Sequence, residues 1–187
     1  MEYFFKSFNP LRDTTYKKIL KHVPRQFLTD EPVMYQNLVI VDELRNDINN
    51  DLKKYNLSLE EVLLFYILPN IPVEVHVDHF PNSTDYCHAT LVLPWRSSTP
   101  CEVFWEQGNF IVDKTTVTGP DDVNQGILNW VSDRTVCSKT FIDGPMLLRT
   151  NVPHGVKSVD AKFILVTLRF AGNPSIEDLQ SKLTLNN

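Results

Sequence analysis

From residue 73 onward the sequence divides into eight short runs typical of β-strands, and this pattern limits the fold more than any other feature. Turn-forming clusters such as Pro81-Asn82-Ser83 separate the runs. The runs cover 73–79, 87–94, 101–105, 109–113, 136–142, 146–149, 152–157 and 162–170. Short strands without long helices between them predict two antiparallel sheets that form a jelly-roll (cupin-like) barrel. The segment from Gly119 to about residue 135 is predicted to be a lid loop.

The N-terminal part of the chain has the spacing of helices. Helices are predicted at 11–22 and at about 42–55. Ser58-Leu59-Glu60-Glu61 has the form of a capping box, so a third helix is predicted to begin there and to end before Pro69. A last short helix is predicted at 174–183.

These elements predict a single, mainly β domain with N-terminal helices (α+β). We expect a helical buttress over 1–72, a barrel core over 73–170, and a C-terminal helix and tail over 171–187.

The composition limits the kinds of molecule that the protein is expected to bind and the compartment in which it is expected to lie. A net charge of −5 gives no broad attraction to nucleic acid, and no apolar run approaches the ~20 residues that cross a bilayer. The three cysteines have no C-x-x-C spacing, which indicates free thiols in a reducing compartment. We therefore expect a cytoplasmic protein that does not bind a membrane; nucleic acid is not indicated as a partner, although a local basic groove stays open.

The first strand-like run, Val73 to His79, alternates apolar and polar residues. His76 and Asp78 are two positions apart, so their side chains leave the same face of a strand, roughly 7 Å apart. Glu74 is predicted to share that inward face, where it would lie beside the metal ligands or face the substrate without binding the metal. The three intervening valines are predicted to face outward, covered by the N-terminal helices.

A second histidine, His154, follows Pro153 in a later strand-like run. With His76 and Asp78 it would supply the two imidazoles and one carboxylate that bind one face of an octahedral Fe(II) ion. Two alternatives remain open at this point: the histidines could be structural, or the same ligands could bind zinc.

The last strand-like run carries two cations, Lys162 and Arg169, on opposite faces. If a cosubstrate is a dicarboxylate, Arg169 is the better partner, because its planar fork pairs with a carboxylate through two hydrogen bonds. Thr167 shares the face of Arg169 and could donate a hydroxyl hydrogen bond to the same group. The alternative is that Arg169 ends the strand at the surface.

The order His76-x-Asp78, His154, Arg169 resembles the Fe(II)/2-oxoglutarate-dependent dioxygenase superfamily. Segments 90–95, 103–105 and 151–156 are similar to small microbial and phage members with a bare double-stranded β-helix core, and the resemblance covers about residues 70–170.

The resemblance implies that His76, Asp78 and His154 bind Fe(II) and that Arg169 holds 2-oxoglutarate, with O₂ as the other reactant. Arg169 lies fifteen positions after His154, whereas many members have the basic residue about ten positions on. Ile164 stands near that place here, which keeps Lys162 as a second candidate.

The implied activity is decarboxylation of 2-oxoglutarate to succinate and CO₂, coupled to hydroxylation of a substrate C–H bond. The favoured substrate is a side chain in a protein or peptide, with a small molecule or a nucleobase as the other choices. Two other functions stay open: a cupin-like metalloenzyme that does not use 2-oxoglutarate, and a non-enzymatic metal-binding barrel.

Overall fold

The computed structural model describes residues 4–23, 34–67, 69–70, 72–79, 85–96, 101–118, 124–158 and 163–184. Within them lie three α-helices: α1 (Asp13–His22), α2 (Asp42–Leu52), which continues into a 3₁₀ turn at Lys53–Tyr55, and α3 (Ile176–Thr184). The predictions of helices at 11–22, 42–55 and 174–183 are thus confirmed. No helix in the described ranges is long and apolar enough to cross a membrane.

Twelve strands in the described residues form two six-stranded antiparallel sheets. The strands are β1 (Phe5–Ser7), β2 (Met34–Asn37), β3 (Leu59–Ile67), β4 (Val73–Asp78), β5 (Ala89–Arg96), β6 (Cys101–Gln107), β7 (Phe110–Thr118), β8 (Asn124–Trp130), β9 (Thr135–Ile142), β10 (Met146–Arg149), β11 (His154–Lys157) and β12 (Phe163–Phe170). The sheet with the order β1-β10-β5-β12-β3-β2 is called the helix-covered sheet. The sheet with the order β7-β8-β4-β11-β6-β9 is called the site sheet, because its strands β4 and β11 carry His76, Asp78 and His154. The predicted mainly β jelly roll is confirmed.

Two apolar clusters hold these layers together. The outer cluster joins Ile19 of α1, Ile48 of α2 and Leu179 of α3 to the outer face of the helix-covered sheet. The inner cluster fills the space between the two sheets around Trp105, which is fully buried. Burying one such side chain contributes about 1.5–3 kcal/mol. The helices therefore cover one sheet and leave the other to carry the site.

The helix predicted after the capping box is wrong, because Leu59–Ile67 forms strand β3 between β12 and β2. The odd-numbered Leu63, Phe65 and Ile67 enter the inner cluster, and the even-numbered Val62, Leu64 and Tyr66 enter the outer cluster. A strand covered on both faces is apolar at every position, so it loses the alternation that marks a strand.

A β-bulge in β4 changes which side chains face inward. His154 pairs with His76, but Val156 pairs with Val73, so the step of two residues on β11 matches three on β4. Val73 therefore enters the inner cluster and Glu74 is exposed. The predictions of an inward Glu74 and of valines covered by the N-terminal helices are both wrong, since those helices pack on the other sheet.

The predicted lid loop is also wrong where the structure describes it. Strand β8 occupies Asn124–Trp130 and pairs with β4 on one side and β7 on the other. Positions 119–123 lie outside the described residues. The segment thus provides the strand next to the one that carries His76 and Asp78.

Candidate metal centre

Two neighbouring strands of the site sheet bring the three candidate ligands together. His154 opens β11 and lies directly across from His76 of β4 in the strand register. Asp78 ends β4, and its main chain is fixed on both sides: its N–H donates to the Thr150 carbonyl at 3.0 Å, and its carbonyl accepts from the Cys87 N–H at 2.8 Å. Antiparallel pairing therefore joins side chains that are far apart along the chain.

The ligand atoms of His76, Asp78 and His154 all lie within 4.8 Å of one another. The Oδ1 atom of Asp78 is 3.4 Å from Nε2 of His76 and 4.0 Å from Nε2 of His154. Each of the three side chains is only 5–6% exposed. A small cation with bonds of about 2.1 Å needs donor atoms gathered in this way.

Backbone hydrogen bonds to Nδ1 fix the orientation of each imidazole. Nδ1 of His76 is 2.6 Å from the Glu74 carbonyl, and Nδ1 of His154 is 3.0 Å from the Val152 carbonyl. A carbonyl only accepts, so Nδ1 of each ring carries a proton, and Nε2 of each ring faces Asp78. This second contact, which sets the tautomer, is typical of metal-binding histidines.

The charge states of the site suit a cation. Burial, followed by repulsion from His76, lowers the pKa of His154 to about 4, so this imidazole is neutral at neutral pH. Burial alone would raise the pKa of Asp78, but the His76 contact and the positive charge of Arg169 outweigh it and lower that pKa below its ordinary value. Oδ1 of Asp78 is buried and accepts no hydrogen bond within the described part of the chain. The donor set therefore fits a divalent metal ion.

Arg169 reaches this centre from the opposite sheet. It lies on the inward face of β12, with 2% of its side chain exposed, and its Nη2 is 3.4 Å from Oδ2 of Asp78. Asp78 thus presents one oxygen to the histidines and the other to Arg169. The alternative that Arg169 ends its strand at the surface is wrong.

Thr167 shares the inward face of β12 with Arg169, as its spacing predicted. Its hydroxyl donates to the Leu63 carbonyl at 3.5 Å. Lys162, the second candidate for the cosubstrate carboxylate, lies outside the described residues.

Sequence reasoning missed Glu61, which it assigned to a helix. Glu61 stands across from Arg169 in the β3–β12 register, and its Oε1 accepts a hydrogen bond of 2.8 Å from Nη1 of Arg169. Burial raises the pKa of Glu61, and Arg169 offsets this only in part. The sequence signal was the pair of acids Glu60-Glu61 directly before the run Val62–Ile67, which is apolar throughout.

A small buried polar group beside Arg169 was also missed. Thr90 pairs with Arg169 in the β5–β12 register, and its Oγ1 is 3.3 Å from that of Thr150, which donates to the Cys87 carbonyl at 2.9 Å. Burial raises the pKa of the Cys87 thiol, so the group remains uncharged. It contributes polar atoms to the wall of the site but no further metal ligand.

Comparison with known proteins gives relatives by structure and not by sequence. No family model and no curated protein matches the chain. HygX from Streptomyces hygroscopicus, solved with nickel and 2-oxoglutarate bound, is 10% identical with a TM-score of 0.51, over 92% of this chain and 83% of HygX. The fold is a double-stranded β-helix.

Two further solved structures match at lower scores. A Pseudomonas putida prolyl-4-hydroxylase is 13% identical with a TM-score of 0.45, over 90% of this chain and 92% of the hydroxylase. E. coli ycfD is 10% identical with a TM-score of 0.46, and the match covers 95% of this chain but only 51% of ycfD. At 10% identity, the likeness to HygX shows the fold alone.

Proposed function

We propose that this protein is an Fe(II)- and 2-oxoglutarate-dependent oxygenase that hydroxylates a substrate C–H bond. The observation that carries the proposal is the combined site: the ligand atoms of His76, Asp78 and His154 lie within 4.8 Å of one another, and a buried arginine faces them from the other sheet. HygX, which has the same fold, was solved with a metal and 2-oxoglutarate bound.

His76, Asp78 and His154 would hold the metal. Three protein ligands leave three positions of an octahedron for the cosubstrate and O₂, and bound Fe(II) supplies the chemistry that activates O₂. The chain's own part is to keep both imidazoles correctly oriented, to keep His154 neutral and to keep Asp78 ionised. The dry interior strengthens each of these interactions.

Arg169 would bind the far carboxylate of 2-oxoglutarate. Nε and Nη2 of its guanidinium are buried and make no hydrogen bond within the described ranges. These two N–H groups lie in the guanidinium plane and point outward from the same edge, which is the arrangement that pairs with both oxygens of a carboxylate. A buried guanidinium whose Nε and Nη2 make no hydrogen bond favours an anionic ligand. Thr167 would act as a second donor only if its hydroxyl left the Leu63 carbonyl.

A side chain in a protein or peptide is the substrate class that we favour, with a small molecule as the alternative. The test is to incubate the Fe(II)-loaded protein with 2-oxoglutarate, O₂ and a peptide library, and to search by mass spectrometry for the gain of one oxygen atom. Product that also forms with Asp78→Ala would contradict the proposal.

One observation favours a second candidate, a cupin-like metalloenzyme that does not use 2-oxoglutarate. Arg169 already lies beside two carboxylates, those of Glu61 and Asp78. A cation neutralised in this way has less attraction for a dicarboxylate. This candidate requires metal binding without any dependence on 2-oxoglutarate.

An anaerobic titration of the Fe(II)-loaded protein with 2-oxoglutarate separates these functions. Chelation of the keto acid to Fe(II) would give a visible charge-transfer band that saturates, is lost in His154→Ala and is kept in His22→Ala, a matched change on α1. Iron binding without a band would favour the second candidate. Failure to bind iron would leave the histidines with a structural role.

Replacing Arg169 with Met tests its role separately. Hydrogen bonds to charged groups are worth about 1.5–3 kcal/mol, so the dissociation constant for 2-oxoglutarate should rise about 10- to 100-fold, with metal binding retained. Arg45→Met on α2 is the matched control. Unchanged affinity in Arg169→Met would assign the carboxylate to another residue.

A further inference from the structure

We infer that Glu61 is a positioning residue for the cosubstrate, holding Arg169 by one nitrogen so that the opposite edge of the guanidinium faces the ligand carboxylate. The inference rests on the proposed function, and it concerns a residue that does not itself touch the metal site.

The contact between Glu61 and Arg169 is built into the sheet. The two residues are direct partners across β3 and β12, and Oε1 of Glu61 accepts from Nη1 of Arg169 at 2.8 Å. The Arg169 side chain is 2% exposed and that of Glu61 is 19% exposed. The bond therefore lies largely out of water, where a charged hydrogen bond fixes geometry strongly.

This bond engages one end of the guanidinium and leaves the Nε–Nη2 edge, here called the free edge, without a hydrogen bond within the described residues, although Nη2 forms an ion pair with Asp78. Nη1 is taken by Glu61, while Nε and Nη2 are buried and make no hydrogen bond among the described residues. Nη2 lies 3.4 Å from Oδ2 of Asp78, so the free edge borders the metal ligands. A carboxylate that pairs with this edge would lie next to the candidate metal position.

Without Glu61, the long arginine side chain would keep only its contact with Asp78 and would be held less firmly in one orientation. Ordering it would then have to accompany ligand binding, which weakens the binding of any group that needs the free edge. The loss should be confined to ligands with a distal carboxylate. A 2-oxo acid without that group, such as 2-oxopentanoate, would bind the metal without using Arg169.

The experiment is a pair of anaerobic titrations of the Fe(II)-loaded protein, with 2-oxoglutarate and with 2-oxopentanoate. In Glu61→Ala we expect about a tenfold rise in the dissociation constant for 2-oxoglutarate and less than a twofold change for 2-oxopentanoate. Glu61→Gln keeps an acceptor oxygen and should restore affinity to within about threefold of wild type.

Two further variants complete the design. Glu60→Ala removes the neighbouring exposed acid, which lies at a register shift in the β3–β12 pairing, and should bind both ligands like wild type. Glu61→Asp keeps the charge but is one methylene shorter, so it should lose affinity for 2-oxoglutarate in the same selective way. It carries the test if Glu61→Ala does not fold.

Several results would overturn the inference. Wild-type or tighter binding of 2-oxoglutarate by Glu61→Ala and Glu61→Asp would show that Glu61 does not orient Arg169. An equal loss for both ligands would indicate a general structural role. If the wild-type protein binds iron but neither keto acid, the proposed function fails, and this inference with it, before any Glu61 variant is compared.

Discussion

His154 should make the stability of the metal-free protein depend on pH. Burial lowers its pKa in the folded protein to about 4, against 6.5 for an ordinary histidine. Below about pH 6.5 the unfolded chain binds a proton that the folded protein refuses until about pH 4. The stability contribution is therefore complete above pH 6.5 and is lost as the pH falls towards 4.

The size of the effect follows from the difference between the two pKa values. At 1.36 kcal/mol for each unit, the full loss is about 3 kcal/mol, and about 2 kcal/mol of it should occur between about pH 7.5 and pH 5. Burial lowers the pKa of His79, which acts in the same direction, and raises that of Glu61, which acts in the opposite direction. A comparison with a His154 variant isolates the single contribution.

The assay is urea unfolding followed by tryptophan fluorescence, with a metal chelator and constant ionic strength. Between pH 7.5 and pH 5 the wild type should lose about 2 kcal/mol more of its free energy of unfolding than His154→Gln does. His22→Gln, on the surface of α1, should retain the wild-type dependence. A difference between wild type and His154→Gln that stays constant to within about 0.5 kcal/mol would refute a buried, neutral His154.

Three further predictions concern buried packing and a buried hydrogen bond. Gly155→Ala would place a Cβ atom 2.6 Å from Cζ of Phe104, so the free energy of unfolding measured in urea should fall by about 1–3 kcal/mol. Adding Phe104→Ala should recover part of this loss. An unchanged free energy of unfolding in Gly155→Ala would contradict the close packing. Trp105→Phe removes a buried hydrogen bond of 2.8 Å from Nε1 to the Arg149 carbonyl, so the free energy of unfolding should fall by about 1–3 kcal/mol in the same assay. An unchanged free energy of unfolding would count against that bond. Ile48→Ala, at a fully buried position of α2, should lower the free energy of unfolding by about 2–5 kcal/mol but leave the metal content unchanged. Loss of metal in this variant would show that packing of the helices affects the metal site.

The parts of the site that could be predicted are those coded by short segments. His76 and Asp78 lie two apart in a strand, and alternation alone puts two such side chains on one face. Arg169 and Thr167 share a face of β12 for the same reason. The turn clusters between short strands likewise predicted the jelly roll.

The parts that could not be predicted depend on contacts between distant segments. Strand β3 is covered by helices on one face and by the site sheet on the other, so its sequence contains no alternation. The bulge that turns Glu74 outward exists only in the register between β4 and β11. Sequence spacing gives neither.

The pairing of Glu61 with Arg169 shows the same limit. The two residues are 108 positions apart, and nothing local to either strand specifies the other. Once Glu61 was assigned to a helix by its capping-box pattern, it could not be placed opposite β12. Placing β3 correctly would have given the contact, because neighbouring strands put direct partners side by side.

The most direct test of the metal centre is the metal content of the purified protein after equilibrium dialysis against Fe(II) without oxygen. We expect one ion per chain in the wild type and in His22→Ala, and close to none in Asp78→Ala and His154→Ala. Unchanged metal content in the Asp78 and His154 variants would contradict the proposed metal centre.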